Sequence, residues 1–121
     1  MSRLLLFFDS RAGGQVNFAM RMLSTASFAI RPVVAAGSVA FAQEKLGMRV
    51  WADQGSVLTR RLGLNHWPAL VKLTPSEISV WTPALNADGI PDSPVPAGLA
   101  SKESIDLSAP AVRPATTKTL R

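Results

Sequence analysis

From Gly63 to Leu73 the chain has to stop a helix, turn at Trp67-Pro68 and enter the apolar run Ala69-Leu70-Val71-Lys72-Leu73. Few folds accommodate that order. Proline drives the residue before it out of helical geometry, and a short run this apolar reads as a strand buried in a sheet. Just upstream, Asp53 and Ser56 can each accept a hydrogen bond from the free N–H groups of a helix start. Val57, Leu58 and Leu62 fall on one face of that helix, and Gly63 is the residue best suited to a left-handed stop. With Val50-Trp51 as a strand in front, the stretch reads as strand, capped helix, proline corner and strand, which is an α/β unit.

The rest of the chain extends this unit. Arg3 to Asp9 contains an unbroken apolar run closed by turn residues, the pattern of a central strand. Gln15 to Thr25 predicts a helix whose stripe is Val16, Ala19, Met20 and Leu23, widened by Phe18 and Met22. Pro32 to Ala36 reads as a second strand, Ser38 as a cap, Val39 to Leu46 as a helix stopped by Gly47, and Met48 to Trp51 as a third strand. Glu77 to Trp81 alternates, with Ile78 and Val80 inward and Ser79 and Trp81 outward. The order is β, α, β, α, β, α, β, β. Right-handed crossovers make the first strands parallel and put helices on both faces. A closing antiparallel hairpin entered through proline points to a thioredoxin-like three-layer sandwich with a mixed sheet, spanning residues 3–81. From Thr82 onward there are six prolines and much Ala, Ser and Thr. Residues 82–121 therefore read as a tail, disordered from 86 on, because too little apolar surface offsets the entropy of ordering.

Composition removes several kinds of chemistry. The chain has no cysteine, so disulfides, thiolate metal sites and thiol redox catalysis are excluded. Its net charge is +5, and residues 1–81 carry nine Lys/Arg against four Asp/Glu. The arginines are spread along the sequence with no interleaved aromatic motif, so nucleic acid is not favoured as a partner, and a nucleic-acid-binding accessory protein of a mobile element stays open only as an alternative. No apolar run approaches the roughly 20 residues of a membrane span. Met20 to Gln43 mimics a secretory signal, but Arg31-Pro32 interrupts it. His66, the only histidine, reads as a loop residue, and Gly13-Gly14 as a turn and helix cap. Asp9, at the carboxyl end of the first strand, keeps a small-molecule enzyme open as an alternative.

Several segments carry a family resemblance in collinear order. They are Leu4 to Asp9 with Gln15-Val16; Pro32 to Ser38; Asp53-Gln54-Gly55 with Leu58 to Leu64; and Pro68-Ala69-Leu70-Val71. Together they resemble the C-terminal, thioredoxin-like part of TraW proteins, assembly factors of F-type conjugative pilus systems. The family has Gly at the position of Ser56, Phe at Leu62 and a small β-branched residue at Trp67. The resemblance implies a non-catalytic assembly or scaffolding protein of a type IV secretion apparatus, without cofactor or metal, whose partners are other pilus-assembly proteins. It also implies a periplasmic location; the chain's start carries no signal, which leaves a cytoplasmic one as the alternative. In a fold of this kind the loop Ser10 to Gly14 lies beside a cis Trp67-Pro68 corner, and an extended peptide can pair there. The expected binding residues are Trp67, Pro68, Asp9, Ser10 and Arg11. Asp53, Ser56, Gly63 and Pro68 are expected to be structural.

Overall fold

The structure is a computed structural model and describes residues 3–25, 30–53, 56–96 and 99, together with the backbone of 116–119. Its centre is β1 (Arg3–Asp9), which pairs in parallel with β2 (Arg31–Ala36) on one side and antiparallel with β4 (Ala69–Leu73) on the other. Short β3 (Trp51–Ala52) runs parallel to β2, and β5 (Glu77–Trp81) antiparallel to β4. With β6 (Thr116–Thr119) antiparallel to β5, the mixed sheet has six strands in the order β3-β2-β1-β4-β5-β6.

The uninterrupted apolar run of β1 is explained by burial on both faces. Leu4, Leu6 and Phe8 join Leu70, Trp81 and helix α1 (Gly13–Thr25) in one core, which also takes in Ala42 of α2 (Val39–Leu46). Leu5 and Phe7 point the other way, to Val33, Val71 and Ile78, where Leu62 of α3 (Val57–Leu62) and Leu64 pack beside them.

Local chemistry sets the helix ends. Ser38 Oγ accepts from Phe41 N at 3.1 Å, and Gly47 ends α2 with φ 68° and its N–H on Gln43 O at 2.8 Å. Helix α3 is capped from a distance: Asp53 Oδ1 accepts from Leu58 N at 2.8 Å and Oδ2 from Thr59 N at 2.9 Å. Ser56 does not cap with its side chain; it sits at φ 57° in the left-handed region rather than in the extended geometry of a side-chain cap. Asp53→Ala should therefore lower stability by about 2 kcal/mol, since both bonds go to a buried carboxylate. Ser56→Ala should change it by less than about 0.5 kcal/mol. Urea denaturation of the two variants measures the difference.

Other expectations are corrected by packing. The stripe of α1 is rotated: Phe18 and Met22 lie in the core with Val16 and Ala19, whereas Met20 is exposed. In α3, Val57 and Leu58 face outward and the buried residue is Thr59, which sits over buried Asp53 with its N–H on Oδ2. The third strand is shorter than Met48 to Trp51. Val50 N bonds Gln43 Oε1 at 3.2 Å instead of the ladder, and pairing with β2 begins only at Trp51.

Trp81 is not outward but buried, its ring centroid 6.0 Å from that of Phe18 at an interplanar angle of 65°. The face it occupies is covered by chain that was expected to be tail. Residues 84–92 form a small hairpin, with Asp92 N on Ala84 O and Asn86 N on Ile90 O, both at 3.0 Å. Asn86 Oδ1 holds its turn by accepting from Asp88 N and Ile90 N. Leu85, Val95 and fully buried Leu99 pack on the same core. Disorder thus does not begin at residue 86; residues 86–96 are seated on the body. Most of the remaining expected tail, 97–98, 100–115 and 120–121, lies outside the described residues.

Candidate functional site: a cleft at the proline corner

Antiparallel pairing of β1 with β4 sets Phe7 opposite Ala69, so the loop after β1 and the residues before β4 meet at one end of the sheet. The loop is firmly held. Ser10 is buried, its N–H donates to Ala36 O at 2.9 Å, and its Oγ accepts from Ser38 N at 2.7 Å. Gly37, at φ 96°, lies so close to Ser10 Oγ that a Cβ there would overlap it, which ties the β2 turn to the β1 loop. Ala12 O then receives Gln15 N and Val16 N, opening α1.

Asp9 is fully engaged. Its Oδ1 accepts from Arg11 N at 2.8 Å and from Arg11 Nε at 3.0 Å, and its Oδ2 accepts from the Arg11 guanidinium at 3.0 Å. Asp9 N–H donates to Gln15 Oε1 at 2.8 Å. The side-chain bonds from Arg11 hold the Asp9 carboxyl below the usual carboxylate range, against a smaller opposing effect of burial. Folding lowers this pKa, so the pair's contribution to stability is complete above about pH 3.9, the unfolded value, and is lost as pH falls through the folded value. The stability gap between the wild type and Asp9→Asn should therefore hold constant at neutral and mildly acidic pH and close in strong acid. Denaturation of both proteins across that range checks it.

Across from the loop, the Trp67-Pro68 bond is cis. Pro68 is buried and Trp67 half-buried; the indole packs on the Leu5 and Phe7 core while also facing outward. Between corner and loop lies a cleft of about 280 Å³, lined by Ala12, Gly14 and Gln15 on one side and Trp67 and Pro68 on the other. A third wall is Pro83, Ala84 and Leu85.

Of the residues expected to bind, Trp67 and Pro68 line this cleft. Asp9, Ser10 and Arg11 do not: Ser10 is turned inward to hold Ser38, and Arg11 folds back on Asp9. They build the loop that presents Ala12, Gly14 and Gln15. The wall from Pro83 to Leu85 was missed by reading the segment as tail. Its signal was present in Asn86-Ala87-Asp88-Gly89, a turn sequence between the apolar residues Leu85 and Ile90. Gly89, at φ 81°, lies against Gly14 O so tightly that a Cβ would overlap it, and this seats the hairpin on the start of α1.

Among the described residues no group of His, Asp or Glu is placed to hold a metal ion, and no helix is long and apolar enough to cross a membrane. His66 is exposed, its Nδ1 2.6 Å from Asn65 Oδ1. Fold and cleft define a cysteine-free mixed α/β protein with a small cleft at a cis-proline corner. Searches of family models, curated proteins and solved structures found nothing that matches the chain.

Proposed function

We propose that this protein is a non-catalytic, thioredoxin-like binding module that takes an extended segment of a partner protein at the Pro68 corner. On the residue resemblance we further propose that it serves the assembly of an F-type conjugative pilus, with other pilus-assembly proteins as partners and the periplasm as its place of action. The observation that carries the reading is the cleft itself: a proline corner facing the loop after the central strand, in a chain with no thiol. The strand order β2-β1-β4-β5, with proline at the entry to β4, supports the thioredoxin-like assignment. Ser56 supports the family resemblance in a smaller way. It holds the left-handed backbone that glycine adopts most easily, at a position where the family has glycine.

An enzyme centred on Asp9 is the weaker reading. A carboxylate with both oxygens on a guanidinium and its pKa held down is a poor proton acceptor near neutral pH.

Trp67 is the residue to test, being rigid, half-buried and on the cleft wall. Trp67→Ala should weaken binding to a co-encoded pilus-assembly protein by about 1 kcal/mol or more, as a hot-spot aromatic does. Calorimetry measures the affinity and circular dichroism the fold. Unchanged affinity in a folded variant would eliminate the cleft as the contact.

A further inference from the structure

The body's positive charge is not as dispersed in space as it is in sequence. Parallel pairing of β1 and β2 sets Leu5 beside Arg31, which brings Arg3 and Arg31 to the same end of the sheet, away from the proline corner. Pairing of β2 with β3 sets Val33 beside Trp51, and both Arg31 and Arg49 stack on that indole, their guanidinium carbons 4.5 and 5.2 Å from its centroid. Arg3, Arg31 and Trp51 line one cavity of about 330 Å³, whose remaining walls include Leu5, Ile30 and Met48.

Among the described residues the one ion pair is Asp9 with Arg11, so none of these three guanidinium groups has a carboxylate within reach. Stacking on Trp51 explains where Arg31 and Arg49 lie but does not neutralise them. A cation–π contact supplies no acceptor oxygen, so it does not satisfy the guanidinium N–H donors. Two arginines on the cavity wall, with a third on the Trp51 ring and no carboxylate among the described residues to pair them, favour an anion, and the planar fork of arginine matches the paired oxygens of a carboxylate or phosphate. The apolar walls call for something more than an inorganic ion. Leu5 and Ile30 are buried residues of its lining, and its volume is at the small end of ligand clefts, roughly 300 to 1,000 Å³.

We infer that this cavity is a binding site for a small amphiphilic anion, a carboxylate or phosphate monoester joined to a short apolar body. The oxyanion is held by Arg3 and Arg31, which line the cavity, with Arg49 on the Trp51 ring adding to the positive charge, and the body lies on Leu5, Ile30 and Met48. A nucleic acid strand fits less well, because sites for it present free aromatic faces to the bases, and the ring available here already carries two guanidinium groups. The site is separate from the Pro68 cleft and does not depend on the function proposed for that cleft.

Calorimetry on the full chain tests it with four probes: hexanoate, hexyl phosphate, hexanol and inorganic phosphate. At least one alkyl anion should bind about tenfold more tightly than both hexanol and inorganic phosphate, and which one does so separates a carboxylate from a phosphate ligand. Arg31→Ala with Arg49→Ala should remove that preference, and Trp67→Ala should leave it intact. Should the double variant fail to fold, Arg3→Ala, which lies outside the Trp51 stack, should weaken the same anion by several-fold. Hexanol binding as tightly as the anions, or a folded arginine variant of full affinity, would overturn the proposal. So would a short oligothymidine that binds more tightly than the alkyl anions and displaces them, which would make the site one for nucleic acid.

Discussion

A chain cut after Trp81 should unfold at much lower denaturant than the full protein, losing on the order of 4 kcal/mol. Fully burying one leucine is worth about 1.5 to 3 kcal/mol. The cut removes fully buried Leu99 together with the packing of Leu85 and Val95, and it uncovers Trp81 and Phe18. Against a total stability of about 5 to 15 kcal/mol, such a loss brings the protein near its limit. A chain cut after Lys102 keeps those residues and should retain most of the stability. Equal urea midpoints for the full chain and the chain ending at Trp81 would show that the segment after β5 does not belong to the core. The first cut also removes Pro83 to Leu85 from the cleft, so partner binding should fall with it even where the body remains folded.

Replacing Phe18 by alanine should cost about 3 to 5 kcal/mol, the usual range for deleting a buried aromatic. Phe18 is wholly inaccessible, meets Trp81 edge to face at 6.0 Å, and sits where α1, the sheet and the 84–92 hairpin converge. Little can relax into the space, since the backbone of Gly89 already abuts the start of α1. Met20→Ala, two residues along the same helix, should change stability by no more than about 0.5 kcal/mol because its side chain is largely in solvent. Chemical denaturation of the pair tests the orientation of α1. A comparable loss at both positions would mean that the helix presents its other face to the sheet.

Much of the architecture is legible in local chemistry. The run Leu4 to Phe8 has no polar break because both its faces are covered, and that is visible without coordinates. Ser38 and Gly47 bound α2 through interactions within a few residues of themselves, as does Gly63 for α3. Errors arose where the deciding contact was distant. Met20 and Phe18 are equally apolar in sequence; the hairpin that Asn86 closes over α1 decides which of them is buried. Asp53 and Ser56 are both good caps by type, and the left-handed backbone of Ser56 leaves the work to Asp53.

The candidate sites divide in the same way. Trp67-Pro68 announces a corner by itself, because proline restricts the chain wherever it occurs. That the corner faces Ala12, Gly14 and Gln15, and that Pro83 to Leu85 completes the cleft, depends on strand pairing between segments far apart in the chain. The arginine cluster is the clearest case. Arg3, Arg31 and Arg49 are isolated charges along the chain and become neighbours only because β1, β2 and β3 run parallel from the same end of the sheet. By itself the sequence determined the order of elements from β1 to β5, the bounds of α2 at Ser38 and Gly47 and the absence of thiol chemistry, all of which rest on residue type and short-range spacing. Which faces meet, which apolar side chains are dry and which charges stand together were decided by tertiary structure, because those properties depend on partners that no local pattern specifies.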